Sequence, residues 1–231
     1  MLSASKGKQM KKKCVFISDF DGTITAKDFY WILLDDYIGE KGIAYYHEWK
    51  KTQKIGTEFL NTVFSWKKFS QAEMEEAIAK VSIDSHLNAL LSFLKESGSD
   101  FWILSAGFDF YIEKALERRG LGHLNLFTNP GDFVNDSFIM LPDASSPFYS
   151  PVYGIDKEKV AMMAKEQFDI LLFAGDSEPD FRAAIHADVI FAKHELARLL
   201  EQNEIRYYPY DNFEDILEIL SSGGIQCLND L

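Results

Sequence analysis

Two aspartates, Asp19 and Asp21, stand two residues apart where the apolar run Val15-Phe16-Ile17 gives out, and Gly22-Thr23 follows at once. An apolar run of that length predicts a buried strand of a parallel sheet. In open α/β sheets, ligands bind beyond the carboxyl ends of the strands, so both carboxylates would stand where chemistry is done. Paired carboxylates there have two uses. They can hold a hard cation such as Mg²⁺ through oxygen ligands, and they can divide nucleophile and general-acid duties between them. The competing reading is a plain Asp-Gly turn at a strand end.

The same pattern recurs downstream. Phe101-Trp102-Ile103-Leu104 breaks into Ser105-Ala106-Gly107, Asp156-Lys157 opens a helix, and Ile170-Leu171-Leu172-Phe173-Ala174 breaks into Gly175-Asp176-Ser177-Glu178-Pro179-Asp180. The ordered set D-x-D-G-T, S-A-G, K and G-D-S-x-x-D resembles the haloacid dehalogenase superfamily of phosphotransferases and phosphatases. It runs from residue 19 to residue 180 and so covers most of the chain.

The resemblance implies roles. Asp19 would be the nucleophile, giving an aspartyl-phosphate that splits one hard displacement into two easier ones. Asp21 would be the general acid and base, and would lend its backbone carbonyl to the metal. An aspartate two residues after the nucleophile is what the superfamily's phosphatases and phosphomutases carry, which sets aside its ATPases and dehalogenases. Asp176 would complete the cation site, with Asp180 ligating directly or orienting a bound water. Ser105 and the amides of Ala106 and Gly107 would cradle the phosphate, the next helix adding its positive N-terminal end. A capped helix start at 176–180 and a turn-forming loop at 105–107 are the simpler alternatives. Lys157 matches the G-x-x-K pattern from Gly154 and would neutralise charge on the nucleophile and phosphoryl group. Lys159 lies about 200° away around a helix, so both cannot face the site. Asp28 is either the N-cap of the first inserted helix or the acid that phosphoserine phosphatases use to hold an ammonium group.

The elements that must position these residues alternate. Helices are predicted over 85–97, 109–119, 157–168, 179–186, 194–201 and 212–221, with strands at 101–104, 170–174, 189–191 and 205–207. This predicts an α/β fold, a Rossmann-like parallel sheet flanked by helices. Residues 26–84 carry helical patterns near 28–38, 41–53, 57–66 and 71–80. They would form an inserted helical cap over a core of 14–25 and 85–231. Phe133–Met140 predicts a β-hairpin turning at Asn135-Asp136, and 142–153 an irregular loop. The cap is rich in aromatics: Tyr30, Trp31, Tyr37, Tyr45, Tyr46, Trp49, Phe59, Phe64 and Trp66. Most are expected to pack rather than to touch substrate. The histidines show no ligand spacing.

Composition sets bounds. With 47% hydrophobic residues in 231, a substantial core can form, yet no apolar run approaches the ~18 residues of a membrane span. The basic start MLSASKGKQMKKK lacks the features of a signal peptide and is read as a frayed tail or expression remnant. Two cysteines, Cys14 and Cys227, suggest neither a disulfide framework nor a metal site, so a reducing cytosol is expected. A net charge of −12 argues against a nucleic-acid surface. An acidic protein handling a phosphate ester also needs a local positive centre, which a cation, a lysine and helix N-termini can supply.

Within the superfamily, S-D-F-D-G-T-I-T-A-K-D, S-A-G-F-D-F, Y-G-I-D-K-E-K-V, G-D-S-E-P-D-F-R-A-A and D-V-I-F-A-K are most similar to the methionine-salvage phosphatases acting on 2-hydroxy-3-keto-5-methylthiopentenyl-1-phosphate. The cysteine-rich stretch that some of them carry before the lysine is absent from 142–156, and Pro179 stands where many relatives have asparagine. The expectation is a Mg²⁺-dependent phosphomonoesterase of a small metabolite. Phosphoserine or another small ester is the runner-up substrate, and a non-catalytic phosphate-binding module the rival of another kind.

Overall fold

The structure, a computed structural model, describes residues 12–222. Cys227 and all but the last two residues of the basic N-terminal stretch lie outside the described residues. Strand β1 (Cys14–Ser18) is followed by four inserted helices, α1 (Phe29–Leu33), α2 (Glu40–Trp49), α3 (Thr57–Phe64) and α4 (Gln71–Ala79). Helix α5 (Leu87–Ser97) leads to β2 (Asp100–Phe108), α6 (Asp109–Glu117) and β3 (Asn125–Asn129). Two antiparallel pairs come next, β4 (Gly131–Val134) with β5 (Ser137–Met140) and β6 (Tyr149–Ser150) with β7 (Gly154–Ile155). The chain then alternates through α7 (Lys157–Gln167), β8 (Ile170–Gly175), α8 (Phe181–Ala184) and β9 (Val189–Ala192). It closes the described region with α9 (His194–Gln202), β10 (Tyr208–Pro209) and α10 (Phe213–Ser221).

Six strands form one parallel sheet in the order β10-β9-β8-β1-β2-β3. Every residue of β1, β8 and β9 is buried, as expected when helices cover both faces. The two-residue side-chain period divides them. Phe16, Phe101, Ile103, Leu172 and Phe191 share a core with α5, α10 and the inserted helices. Val15, Ile17, Trp102, Leu104, Phe173 and Ile190 share the other with α7, α8 and α9. Phe16 stacks between Phe101 and Phe191, at centroid distances of 5.6 and 5.9 Å.

From β1 the chain builds β2 and β3 to one side, then crosses to build β8, β9 and β10 on the other. The direction therefore reverses between β1 and β8, the place where α/β sheets open a binding crevice. Ser18 pairs with Ala174 there, so residue 19 and residue 176 leave adjacent strand ends.

The inserted helices enter and leave side by side. Thr25 and Ile83 form an isolated antiparallel bridge, with Ala26 N–H on Ser82 O and Asp84 N–H on Ile24 O. The first of them departs from the expected single run over 28–38. It stops at Leu33, widens into a π-helical turn over Leu34–Ile38, and ends at Gly39 with φ of 78°. The predicted hairpin is present, and Asn135 and Asp136 both take positive φ (51° and 60°), as a type I′ turn requires. Strand β3 (Asn-Leu-Phe-Thr-Asn) was not expected. It is a half-exposed edge strand whose polar ends hide any apolar run. Residues 142–153, expected to be irregular, contribute β6 to a small ladder with β7. The last strand falls at Tyr208-Pro209 rather than at 205–207. Among the described residues, no helix is long and apolar enough to cross a membrane.

Candidate active site

Asp19 continues β1 by one more ladder bond, its N–H donating to Ala174 O at 2.9 Å. The chain then winds through a π-type turn over Phe20–Ile24, in which Gly22 has φ of 77°. Glycine is required here twice over. The backbone is left-handed, and a Cβ would lie 2.5 Å from Asp176 Oδ2. The Asp-Gly turn and the carboxylate site are therefore one structure, because the turn lets the Asp176 side chain pass over Gly22. Carboxylate oxygens of Asp19, Asp176 and Asp180 lie within 4.8 Å of one another, a cluster that could hold a metal ion.

Lys157 begins α7, whose N-cap Asp156 accepts the N–H groups of Glu158 and Lys159 at 3.1 and 3.3 Å. Its side chain is 3% exposed, and its ammonium donates at 2.6 Å to both Asp19 Oδ1 and Asp180 Oδ1. Lys159 faces solvent, reaching the carbonyl of Tyr149 at 3.3 Å and the carboxylate of Asp156 at 3.8 Å. Asp180 Oδ2 accepts the N–H groups of Asp176 and Ser177 and the Ser177 hydroxyl. Both oxygens of Asp180 are thus engaged, while Asp19 Oδ2 is buried without a hydrogen-bond partner.

Asp19, Asp21, Asp28, Asp176 and Asp180 crowd around the Lys157 ammonium, and the proton affinities of Asp19, Asp21, Asp28 and Asp176 show the strain. Burial pushes Asp19 up to about 7 against the pull of Lys157, with Asp180 adding to the rise. Burial, then the charges of Asp19 and Asp180, raise Asp176 to about 9. Asp21 rises to about 7 through burial and the charge of Asp28, and Asp28 to about 6 through burial and the charge of Asp19. Burial alone would lower Lys157, but Asp180 and Asp19 outweigh it and its affinity is raised. Hard oxygen donors, excess negative charge and an orphaned carboxylate oxygen together fit a divalent cation.

The Ser105-Ala106-Gly107 segment differs from its expected form. β2 does not stop at Leu104 but runs on to Phe108, while the ladder with β3 skips from Leu104–Phe127 to Phe108–Asn129. Side chains fill the gap: Thr128 Oγ1 donates to Gly107 O at 2.9 Å, and Asn129 Nδ2 to Ala106 O at 3.0 Å and Gly107 O at 3.1 Å. The helix expected to aim its N-terminus at the anion begins only at Asp109, and Asp109 Oδ1 takes the N–H groups of Phe110 and Gly131. That helix end already carries a carboxylate of its own, which offsets part of its positive field.

Asn129 was not singled out in the sequence, where Asn-Leu-Phe-Thr-Asn carries no signal. It is 2% exposed and also donates to Tyr153 O at 2.8 Å, tying the 105–107 strand to the loop that delivers Lys157. Asn129→Ala should leave buried carbonyls unpaired, costing about 1–3 kcal/mol. It should also cut turnover by up to about 10²-fold through misplacement of the two segments. Thermal melting and steady-state kinetics on one preparation check both, and unchanged kinetics would remove Asn129 from the site's support.

Above the cluster opens a cavity of about 710 Å³. Tyr30, Trp31, Tyr46 and Phe64 of the inserted helices line it, while the other five aromatics noted in the sequence do not. Asp28 makes no side-chain capping bond to α1. Asp21 Oδ1 instead accepts the Phe29 N–H at 2.9 Å, and Asp28 shares a hydrogen bond with Tyr30. The cavity rim is tied across by Lys54 to Glu178 at 2.7 Å and Thr57 N–H to Val152 O at 2.9 Å.

The parallel sheet, its reversal point and the carboxylate–lysine cluster define a phosphatase of the haloacid dehalogenase fold. A phosphoserine phosphatase solved with a phospho-aspartyl intermediate analogue superposes with a TM-score of 0.66, covering 92% of this chain and 99% of that one at 19% identity. A haloacid dehalogenase family hydrolase from Salmonella enterica serovar Typhi gives 0.68 at 16% identity, covering 93% and 72%. At such identities the likeness is one of fold. The chain belongs to the family described as "Putative Phosphatase", whose model matches residues 14–146, more than half of its length. It is similar to the 2-hydroxy-3-keto-5-methylthiopentenyl-1-phosphate phosphatase of Exiguobacterium sibiricum, 27% identical over 212 residues, spanning 89% of this chain and 95% of that protein. The enzyme of that name from Lysinibacillus sphaericus is 24% identical over 225 residues, spanning 90% and 94%.

Proposed function

We propose that the chain is a Mg²⁺-dependent phosphomonoesterase of a small cytosolic metabolite, acting through an aspartyl-phosphate on Asp19. The observation that carries this is the asymmetry of the Asp19 carboxylate. One oxygen is held by Lys157 while the other is buried and unpartnered, so the carboxylate is presented ionised and oriented, with an oxygen left open towards cation and phosphorus. Asp19, Asp176 and the Asp21 carbonyl would hold the cation; Asp180, with both oxygens occupied, would orient Lys157 and the 176–177 backbone. Bound there, Mg²⁺ would offset the crowded carboxylates and the charge of the phosphoryl oxygens.

Asp19 then displaces the alcohol from phosphorus, and Asp21 gives its proton to the departing oxygen. Asp21, now ionised, takes a proton from water, whose oxygen attacks phosphorus and returns Asp19 to its carboxylate. The sum is ester plus water to alcohol plus phosphate. Ser105, Ala106 and Gly107 would border the phosphoryl oxygens, with Ser105 Oγ already 3.4 Å from Asp21. Residues 26–84 would act as a cap over a core of 14–25 and 85–231, its aromatics walling the cavity.

The leading substrate is 2-hydroxy-3-keto-5-methylthiopentenyl-1-phosphate, supported by relatives of that name aligned over nearly nine-tenths of the chain. Phosphoserine is the runner-up, with Asp28 available for its ammonium group. A panel containing both esters and p-nitrophenyl phosphate tests the reading. EDTA should abolish turnover and Mg²⁺ restore it, and kcat/KM for the methionine-salvage ester should exceed that for phosphoserine by at least about tenfold. No hydrolysis of any ester with Mg²⁺ would leave only a phosphate-binding module.

A further inference from the structure

We propose that Tyr111 is the positioning residue for the acid Asp21, fixing the carboxyl so that its proton is delivered to the departing oxygen. The inference rests on the reading of Asp21 as general acid and goes beyond it. Tyr111 lies in the first turn of α6, is 2% exposed, and donates its hydroxyl to Asp21 Oδ2. Asp21 Oδ1 accepts the Phe29 N–H, so a donor holds each oxygen and the carboxylate plane cannot rotate.

The surroundings are built for this contact. The Tyr111 ring stacks on Phe29, with centroids 4.2 Å apart and planes 9° from parallel, and meets Phe20 and Phe108 edge-on. Phe29 thus serves twice, as the platform for Tyr111 and as the amide on Asp21. Gly107 completes the pocket: a Cβ there would lie 2.1 Å from the Tyr111 hydroxyl and 3.0 Å from Asp21 Oδ2. The glycine of the S-A-G segment leaves room for the tyrosine–aspartate bond as well as for an anion.

An oxygen of a carboxyl group has two acceptor directions. With the Tyr111 O–H on one, and Ser105 Oγ a longer contact at 3.4 Å, the acidic proton on Oδ2 would take the other and be passed from there to the bridging oxygen of the ester. When the P–O bond breaks, that proton moves to the departing alkoxide and Tyr111 still donates to the ionised Asp21. Acting through its bond to Asp21, Tyr111 would matter only where the leaving group needs a proton.

Tyr111→Phe keeps the ring and removes the hydroxyl. Its kcat/KM, which reports enzyme phosphorylation, should fall by about tenfold for phenyl phosphate and less than about twofold for p-nitrophenyl phosphate, whose leaving group needs no acid. Asp21→Asn should show the same leaving-group pattern more strongly. Equal losses on the two esters, or none, in Tyr111→Phe would overturn the proposal. If Asp21→Asn itself lacks the pattern, the acid assignment fails instead. Should Tyr111→Phe not fold, 3-fluorotyrosine at position 111 alters the donor without altering its shape. It should change the phenyl phosphate rate and leave the p-nitrophenyl rate in place, and no difference between the two would sink the idea.

Discussion

Asp19→Asn will fold, will melt higher than the parent when free of metal at alkaline pH, and will lose turnover on the order of 10⁴-fold or more, the scale on which removal of a nucleophile is felt. The chemical half follows from the carboxamide, which cannot form the aspartyl-phosphate on which both half-reactions depend. The stability half follows from crowding. Asp19, Asp21 and Asp28 are held near 7, 7 and 6, and Asp176 near 9, against an ordinary value of 3.8. Groups whose folded affinity is raised stabilise the fold fully below the unfolded value, and that stability is lost as pH climbs through the folded one. The metal-free parent should therefore weaken progressively from about pH 4 to about pH 9. Asparagine takes one of these groups out of the titration and lightens the field on Asp176. The variant's melting temperature should fall less steeply with pH, and at pH 8.5 exceed the parent's by at least about 2–4 °C, the shift 1 kcal/mol gives in a chain this size. Mg²⁺ should reverse the order, since it stabilises only the protein that binds it well. Melting curves across pH with and without Mg²⁺, beside turnover assays, test both halves. Retained turnover would move the nucleophile elsewhere, and a metal-free variant no more stable at alkaline pH would show the carboxylates relieved by other means.

How far the sequence foretold this site depends on the kind of signal each residue carries. Strands β1 and β8 were legible because both faces are buried, so Val15–Ile17 and Ile170–Ala174 read as unbroken apolar runs that stop at acids. The turn at Asn135-Asp136 was legible because few residue types tolerate positive φ. Strand β3 was not, since an edge strand half open to water needs no apolar run, and Asn129 acts through three carbonyls that no local pattern reveals. Tyr111 was hidden for a related reason. It reads as one more apolar position of α6, and only the fold brings its hydroxyl to Asp21, ninety residues away. Extending β2 through Gly107 turned an expected loop into strand, because side chains from β3 replace the missing ladder bonds. Local chemistry was visible in the sequence, whereas support that arrives from a distant segment was not.

The choice between Lys157 and Lys159 yields the other large effect. Lys157→Met keeps most of the buried stem and removes the ammonium, leaving Asp19 and Asp180 facing each other without compensation. Breaking a buried ion pair by deleting one partner costs about 3–5 kcal/mol, so this variant should melt well below the parent. Its remaining folded fraction should turn over about 10²–10³-fold more slowly, as when one preorganised charge is lost from a transition state. Arginine is no substitute, because a planar fork cannot place one point charge 2.6 Å from two separate carboxylates in a space shaped for an ammonium. Lys159→Met, by contrast, removes a half-exposed side chain that touches the Tyr149 carbonyl and, at 3.8 Å, the carboxylate of Asp156, and reaches neither Asp19 nor Asp180. It should leave kcat within about twofold and melting within about 2 °C of the parent, the usual scale for surface substitutions. Comparing the two at saturating Mg²⁺ separates charge from fold, since both remove one positive charge from the same helix, two residues apart. Equal kinetic losses would mean that net charge near α7, rather than the ammonium seated between Asp19 and Asp180, is what the reaction requires.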